Sequence, residues 1–534
     1  MNSSDLRPEL SSHLTRRLAA FADGFRQNLA LIGPSGSGKT FQLQQLAAIE
    51  SPVLLILYCP LYRESSRSVV LRLASTILRT GCSSGTSEES WESLLQRADS
   101  QIPKTASALR AIEPLLTRRA YGEALIRSLD AIPILSEERG RPCVVIVDEF
   151  LLLEEVGLAH GFHELGKRVM TWPSVLFVLS SSSCYRARLI LRERLQLLFG
   201  QFELVTLEAL NPTTAIPWVQ QELRGVRGAK AMTPFLVQWL GGYPWYLSVF
   251  CHRLKELDAL GRRPDCAEAL FLQTAWDLLG HSDGPLHQWC RSKADTLARS
   301  RTGLRAIDAL VHIAGGYRTA TEIGKRIGRS GLTEGLQLLV EQDLAQRNGS
   351  CWMVTDPILR GWLATVCAAE HGSTGFDGAE LRVRFDRYLR SLWSAWVHTH
   401  ELSFVDQVIG LFEKFRDETV SLDAKTGRLP VFRTITTHRA EPQEAGAYLI
   451  ASGDGKRWCA SVHEDQVDEE VVARFETFCR AQTPKPARKV VITRSRMEPN
   501  ARLVAKAANM WVWEGDDLTT LMGLYEPFEA NRGR

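Results

Sequence analysis

Short apolar runs alternate with amphipathic stretches along the first 210 residues of the chain. Five of these runs have the length of buried strands: 28–32 (NLALI), 53–58 (VLLILY), 143–147 (CVVIV), 174–179 (SVLFVL) and 203–207 (ELVTL). The segments between them, such as SVVLRLASTIL, space their apolar residues as amphipathic helices do. Strands that alternate with helices predict a parallel sheet covered by helices on both faces.

The pattern changes after this region. Residues from about 211 to 295 show no strand-like alternation, which predicts helices. From about 302, three helical segments precede a short hairpin with its turn at Asn348-Gly349. The second of these helices opens with a capping-box pattern, Thr319 and Glu322. Three helices and a hairpin predict a winged helix-turn-helix. A Gly/Ser/Thr-rich linker at 371–378 and two helical runs then lead to an α/β tail.

Composition limits the class of protein. The chain has 534 residues, enough for three or four domains. Its 64 Lys and Arg against 61 Asp and Glu leave a net charge of +3, so a basic surface for nucleic acid must be local. The eleven cysteines show neither a CxxC pair nor zinc-like spacing, and we expect reduced thiols. Because the chain shows neither an apolar signal core nor a membrane-length apolar run, we expect a cytoplasmic protein without membrane contact.

The clearest chemical signal is GPSGSGKT, a complete GxxxxGK(S/T) motif placed between a predicted strand and a predicted helix. Its residues are Gly33, Pro34, Ser35, Gly36, Ser37, Gly38, Lys39 and Thr40. The glycines allow backbone N–H groups to surround phosphates. We expect Lys39 to reach the β- and γ-phosphates and Thr40 to bind Mg²⁺ through its hydroxyl.

A second signal is VVIVDEF at 144–150, an apolar strand that ends in two acids. Asp148 is predicted to hold Mg²⁺ through water, and Glu149 to act as the base that polarises the attacking water. The chain contains neither an NKxD guanine-reading motif nor an LSGGQ-type signature, so ATP is favoured over GTP and a transporter cassette is disfavoured. The sequence therefore predicts ATP and Mg²⁺ as ligands.

Polar residues also follow the fourth predicted strand. Ser181 and Ser182 are the candidates there for sensing the γ-phosphate or holding the water, with an ordinary polar loop as the alternative. Arg186 and Arg188 follow closely and are weaker candidates for an arginine finger.

The next motif, GGYPWYL at 241–247, predicts a helix stop and restart. Five features now follow one another over about residues 1–370: the glycine-rich motif at 33–40 (the P-loop), the strand that ends in Asp148 and Glu149, the strand followed by Ser181 and Ser182, GGYPWYL and the later VTDPILRGWL. This order resembles that of archaeal-type ATPases of the STAND/AAA+ group. The Cdc6/Orc initiators have a similar plan. The resemblance implies a sheet ordered 5-1-4-3-2 and a helical lid whose Gly242 and Pro244 approach the nucleotide. Initiators usually carry a lid arginine at the γ-phosphate, and none is identified in this stretch.

Two readings of the winged helix stay open. The helix expected to enter a DNA groove, about 331–343, carries three acids and no Lys or Arg, whereas DNA reading normally needs cations or amides. Its polar candidates are Thr333 and Gln337. Lys325, Arg326 and Arg329 on the preceding helix could hold a phosphate backbone. The alternative is a packing or signalling module that couples the ATPase to the tail.

The tail's order of strands and helices resembles the restriction-endonuclease-like fold, whose active site needs an acid and an (E/D)-x-K strand. Here RWCASVHE places Ser461 and His463 at the acid and lysine positions, and no acid stands at 447–449. A serine hydroxyl lacks the anionic charge that fixes Mg²⁺, and we expect Glu464 and Asp465 to point to solvent. The tail is therefore predicted to fold like a nuclease and not to cut. A basic set is predicted to lie in a solvated loop: Lys485, Arg488, Lys489, Arg494 and Arg496.

The predicted architecture is α/β, with a P-loop ATPase core at 1–210, a helical lid at 211–298, a winged helix at 299–370, a linker and helical segment at 371–427 and a degenerate nuclease-like domain at 428–534. The predicted function is an ATP-binding and ATP-hydrolysing switch that couples nucleotide state to the winged helix and tail. The alternative is an ATP-gated DNA-processing enzyme, or a DNA-binding initiator-like ATPase, with an active tail nuclease. The candidate partners are DNA, another protein or further copies of the chain.

Overall fold

The computed structural model describes residues 6–82, 89–156, 161–193, 202–260, 267–372, 378–422, 425–439 and 446–525. The chain divides into two compact units, Met1–Glu256 with Glu341–Asp343, and Leu257–Val340 with Leu344–Arg534. Most of the predicted linker at 371–378 lies outside the described residues. Within the described ranges, no helix is both long and apolar enough to cross a membrane.

The first unit is built on a five-stranded parallel sheet. Its strands are β1 (Asn28–Ile32), β2 (Leu55–Pro60), β3 (Cys143–Asp148), β4 (Val175–Ser181) and β5 (Phe202–Thr206). Their spatial order is β2-β3-β4-β1-β5, which confirms the predicted sheet order. The second strand starts and ends two residues later than the apolar run suggested. It continues through Pro60, which pairs with Asp148.

Helices cover both faces of this sheet. They are α1 (Pro8–Ala22), α2 (Lys39–Ala47), α3 (Ser66–Gly81), α4 (Trp91–Gln101), α5 (Pro103–Arg110), α6 (Glu113–Thr117), α7 (Tyr121–Arg139), α8 (Gly161–Thr171) and α9 (Cys184–Glu193). After β5 the chain continues with α10 (Pro212–Glu222), α11 (Ala229–Trp239) and α12 (Pro244–Ala259). A 3-10 helix, Phe150–Val156, follows β3. The helices between β2 and β3 bury one face of the sheet, and α1 and α2 bury the other. Burial on both faces explains why β1, β3 and β4 are almost wholly apolar.

The turn between α11 and α12 depends on glycine. Gly241 and Gly242 have φ values of +65° and +70°, a region that side chains with a Cβ rarely adopt. A Cβ on Gly242 would lie 2.2 Å from the carbonyl oxygen of Leu210. The backbone N–H of Leu210 also donates to the Gly242 carbonyl (2.9 Å). This close approach fixes the start of α12 against the segment that follows β5.

The second unit begins with helices and contains the winged helix. The later helices are α13 (Ala267–Ala275), α14 (Pro285–Ala298), α15 (Arg301–Ala314), α16 (Ala320–Ile327), α17 (Leu332–Glu341), α18 (Pro357–Trp362), α19 (Ala368–Gly372), α20 (Gly378–Glu401) and α21 (Phe404–Glu413), with π-helical turns at Trp276–Gly280 and Leu363–Cys367. The predicted capping box of Thr319 and Glu322 is present at α16. The wing is formed by β6 (Ala345–Asn348) and β7 (Cys351–Val354).

The turn of the wing differs from the prediction. Asn348 pairs with Cys351, so the two-residue loop is Gly349–Ser350 instead of Asn348-Gly349. The physical reason lies in an unpredicted hairpin, β8 (Glu418–Leu422) and β9 (Lys425–Leu429). The predicted domain boundary at 427/428 falls inside β9. A Cβ on Gly349 would lie 2.1 Å from the Thr419 carbonyl oxygen, so the loop needs glycine there.

The wing and β8 are joined by hydrogen bonds. The backbone N–H of Ser350 donates to the Thr419 carbonyl (2.8 Å), and the Thr419 N–H donates to the Ser350 hydroxyl (2.9 Å). The side-chain amide of Asn348 pairs with both backbone groups of Ser421, at 2.7 and 3.1 Å. The tip of the wing therefore packs on β8 inside the second unit.

The C-terminal part of this unit carries a five-stranded mixed sheet. Its strands are β10 (Thr434–Arg439), β11 (Gly446–Gly453), β12 (Lys456–His463), β13 (Arg488–Thr493) and β14 (Trp511–Trp513), in that spatial order. The first three are antiparallel and the last three parallel. The remaining helices are α22 (Glu469–Ala481), α23 (Pro499–Ala507) and α24 (Gly515–Tyr525). The order of elements in the tail is thus a strand, a hairpin, a helix, a strand, a helix, a strand and a helix.

Candidate functional site

The GPSGSGKT segment forms a turn between β1 and the first residue of α2. Gly36 and Gly38 have φ values of +80° and +95°, and glycine tolerates this region without a steric cost. A Cβ on Gly33 would lie 2.3 Å from the carbonyl oxygen of Leu207. The glycine pattern is therefore required by the shape of the turn, as the motif predicts.

Lys39 lies at the start of α2 and is 5% exposed. Its Nζ donates to the carbonyl oxygens of Gly33 (2.7 Å) and Pro34 (3.0 Å), on the strand side of the turn. These carbonyls hold the ammonium beneath the turn. A phosphate bound to the loop can take over these donor hydrogens.

The carboxylate of Asp148 accepts three hydroxyl groups at the carboxyl end of β3. Thr40 Oγ1 (2.7 Å) and the Tyr58 hydroxyl (3.2 Å) donate to Oδ2, and Ser180 Oγ donates to Oδ1. Burial, followed by the charge of Asp148, raises the pKa of Tyr58, which therefore stays a donor. Tyr58 and Ser180 were missed from the sequence, because isolated hydroxyls on strands match no motif.

This oxygen-rich corner suits a magnesium ion. Mg²⁺ prefers oxygen ligands and usually takes one or two from the protein beside substrate phosphates. The hydroxyl of Thr40 and the carboxylate of Asp148 are already within 2.7 Å of each other. The described residues contain no cluster of three or more His, Cys, Asp or Glu side chains suited to a metal.

Glu149 adopts an unusual backbone conformation. Its φ is +58°, a left-handed geometry that costs a non-glycine residue about 1–2 kcal/mol. Its Oε2 accepts a hydrogen bond from the backbone N–H of Ser182 (3.0 Å), and its own N–H donates to Ser180 Oγ (3.3 Å). These contacts hold the carboxylate at the tip of β4, beside the phosphate loop.

The structure separates the two serine candidates. Ser182 lines the cavity beside Glu149. Ser181 is fully buried, and its hydroxyl accepts the N–H of Ser183 (3.1 Å). Of the two arginines, Arg186 pairs with Glu154, and Arg188 lies 3.5 Å from Thr206 Oγ1. Neither arginine is among the residues that line the cavity.

A cavity of about 580 Å³ opens at the phosphate loop, Glu149 and Ser182. It is lined by Leu6, Arg7, Ser35, Gly36, Ser37, Gly38, Lys39, Thr40, Phe41, Gln42, Glu149, Ser182, Trp218, Pro244, Trp245 and Ser248. Pro244 thus lines the same cavity as the phosphate loop. Gly242 contributes the turn that precedes it and is bonded to Leu210.

Arg7 was not identified from the sequence. It precedes α1, and its guanidinium donates to the carbonyl oxygens of Ser37 (3.2 Å) and Glu208. Burial lowers the pKa of Arg7, and the charge of Glu208 opposes that effect. The residue joins the N-terminal helix to the phosphate loop and to the segment after β5.

The C-terminal strand has no comparable site. Ser461 and His463 are buried and hydrogen bonded to each other, with Ser461 Oγ 2.6 Å from His463 Nε2. Burial lowers the pKa of His463 to about 4, which favours the neutral imidazole. Glu464 and Asp465 are exposed, as predicted.

The predicted basic set in the tail does not form one solvated loop. Arg488 and Lys489 lie on β13. The Arg488 guanidinium stacks over Trp511 (4.9 Å), and Lys489 Nζ pairs with Glu476 (2.6 Å). The prediction was wrong for these two residues, because aromatic and acidic partners from neighbouring elements engage them.

The fold was compared with known proteins. No family model and no curated protein matches the chain. Among solved structures, a Walker-type ATPase of Pyrococcus abyssi is 19% identical, with 67% of this chain and 95% of that chain covered and a TM-score of 0.46. The ORC2 protein of Aeropyrum pernix, solved as ADPNP–ADP complexes, is 14% identical, with 73% and 95% covered and a TM-score of 0.41. The ORC1 protein of the same organism, solved with DNA, is 12% identical, with 67% and 92% covered and a TM-score of 0.36.

The first prediction concerns Lys39. Its replacement by Ala removes a buried ammonium whose charged hydrogen bonds each contribute about 1.5–3 kcal/mol. We expect the dissociation constant for ATP, measured by calorimetry, to rise by about 100-fold or more, since the phosphates would lose the charged hydrogen bonds that the ammonium donates to them. Lys230→Ala, at an exposed position on α11, is the matched control. Affinity equal to that of the unmodified chain would refute the assignment of the loop.

The second prediction concerns His463. Its pKa is about 4 in the folded chain against an ordinary value of 6.5, so the unfolded chain binds the proton more readily. The free energy of unfolding should therefore fall by up to about 3 kcal/mol as the pH drops from about 6.5 to about 4. In His463→Gln, urea titrations should show a smaller fall over this window. His438→Gln, at an exposed histidine, should behave like the unmodified chain. An unchanged slope in His463→Gln would contradict the assignment.

Proposed function

We propose that this chain is an ATP-binding and ATP-hydrolysing switch of the STAND/AAA+ type. The observation that carries the proposal is the convergence of Lys39, Thr40 and Glu149 on one cavity beside a glycine-rich turn, with Asp148 hydrogen bonded to Thr40. The order of parts along the chain supports the assignment to this group.

In the proposed mechanism, the backbone N–H groups of the turn and the ammonium of Lys39 bind the phosphates. Mg²⁺, when bound, supplies positive charge against the phosphate oxygens, and Thr40 and Asp148 would hold it. Glu149 accepts the proton of the attacking water. The Ser182 N–H fixes the direction of the Glu149 carboxylate, and Ser180 orients Asp148.

The base specificity is proposed from the sequence and the cavity. The absence of an NKxD motif from the sequence favours ATP over GTP. Leu6, Phe41 and Trp218 give the cavity apolar walls beyond the phosphate loop, as expected for a purine. This region would therefore receive the adenine.

The winged helix is proposed to couple parts of the chain and not to read DNA. Its wing packs on β8 through Ser350 and Asn348, so hydrogen bonds occupy the tip that would enter a groove. Helix α17 carries acids and no Lys or Arg. DNA binding through Lys325, Arg326 and Arg329 is the second candidate, since these three exposed cations lie in and just after α16.

The tail is proposed to be a nuclease-like domain that binds or assembles and does not cut. Neither Ser461 nor His463 supplies an anionic ligand for a metal at this point of β12. The hydrogen bond between the two side chains also occupies Nε2 of His463. The neutral form of the buried imidazole supports the same conclusion. The proposed domains keep the predicted boundaries, except that β8 and β9 belong with the tail.

The third prediction tests the switch. Glu149→Gln keeps the shape of the side chain and removes the base. ATP should bind normally, and turnover should slow by about 100-fold or more, the usual effect of losing a positioned base. Glu154→Gln is the matched control, because Glu154 pairs with Arg186 and does not line the cavity. Unchanged turnover in Glu149→Gln, measured as phosphate release, would show that another group activates the water.

The fourth prediction tests the tail. Plasmid and linear DNA incubated with the protein, ATP and Mg²⁺ or Mn²⁺ should remain intact on a gel, with a restriction enzyme in the same buffer as the positive control. Cleavage that is lost in His463→Ala or Glu464→Ala would show an active tail and support the alternative function.

A further inference from the structure

The start of helix α12 lies directly on the phosphate loop. The backbone N–H of Trp245 donates to the carbonyl oxygen of Gly36 (3.2 Å). A Cβ placed on Gly36 would lie 3.3 Å from the Trp245 Cβ and 3.5 Å from its indole Cε3. The indole therefore packs on the glycine at the apex of the loop, and no larger residue would fit without a shift.

Neighbouring residues hold Trp245 against Gly36. The rings of Trp245 and Tyr246 lie 5.2 Å apart, and Tyr246 is fully buried. Pro244 faces Gly38, whose added Cβ would lie 3.9 Å from the Pro244 Cγ. The Gly242 turn then anchors the helix start to Leu210. Movement of the loop apex cannot leave Trp245 unaffected.

The cationic side chains of α12 form ion pairs with glutamates. Arg253 Nη1 pairs with Glu256 (2.8 Å), and Lys255 Nζ pairs with Glu222 (2.6 Å). Among the residues described as lining the cavity, the cations are Arg7 and Lys39, and neither belongs to α12. The helix therefore presents an aromatic ring, and not a positive charge, to the loop.

Lys39 provides the link from phosphate to Trp245. Its ammonium holds the carbonyls of Gly33 and Pro34, in the same turn whose apex carbonyl is held by Trp245. A phosphate that draws the ammonium away releases those carbonyls. The four-residue segment 33–36 is then free to adjust, and its apex moves against the indole.

We propose that Trp245 is the positioning residue through which the lid helix responds to an occupied phosphate loop, by packing instead of by charge. This inference rests on the proposed function, because it requires that a nucleotide enter the cavity. The indole transmits the adjustment of segment 33–36 to the start of α12. An alanine at this position would leave α12 insensitive to a bound nucleotide.

The fifth prediction uses hydrogen–deuterium exchange on the full chain, with and without saturating ATP and Mg²⁺. Occupancy is measured separately by calorimetry. In the unmodified chain, peptides from 241–250 should exchange at least about threefold more slowly with ATP, a small shift on the scale of local opening. Trp245→Phe should keep this protection, since a ring still covers Gly36. Trp245→Ala should show no added protection at ATP concentrations that give the same occupancy as in the unmodified chain.

The matched control is Trp289→Ala, which removes a partly buried tryptophan that contacts Lys293 and does not line the cavity. It should retain the protection. Full protection in Trp245→Ala at confirmed occupancy would overturn the inference. Loss of ATP binding in Trp245→Ala alone would also overturn it, since the residue would then be a binding contact. Absence of ATP binding in the unmodified chain would instead refute the proposed function.

Discussion

The carboxylate of Asp148 is the contact on which the site depends. It accepts hydroxyl groups from Thr40 on α2, Tyr58 on β2 and Ser180 on β4. Three donors from three elements can meet one carboxylate only because β2 and β4 flank β3 in the sheet. A buried carboxylate without such donors would carry a large desolvation cost. The geometry of the site around Asp148 therefore depends directly on the order of the strands in the sheet.

The second constraint is close backbone approach around the phosphate loop. Gly33 meets Leu207, Gly36 meets Trp245 and Gly242 meets Leu210 at distances that leave little or no room for a Cβ. These contacts tie the loop to the segment after β5 and to α12, so a change in the loop cannot stay local. The strained backbone of Glu149 belongs to the same group of features, since the Ser182 N–H holds its carboxylate at the tip of β4.

Much of this arrangement could be predicted from the sequence, for physical reasons. Strands that are buried on both faces are continuous apolar runs, so the strands of the core could be predicted. The P-loop motif has a fixed length, so the position of Lys39 could be predicted as well. Tyr58 and Ser180 were not, because their role arises only when the strands are neighbours. The β8–β9 hairpin was missed because ETVSL and KTGRL are short and contain few apolar residues. The wing turn was shifted by one residue because its position depends on Thr419, 70 residues away from Gly349.

We propose that one cavity binds ATP with a magnesium ion held at the Thr40–Asp148 corner. Calorimetric titration of the unmodified chain with ATP, in Mg²⁺ and in a chelator, alongside GTP in Mg²⁺, tests this proposal. We expect one ATP per chain, tighter binding in Mg²⁺ than in the chelator, and weaker binding of GTP. ATP affinity that is indifferent to Mg²⁺, or no binding of ATP at all, would contradict it.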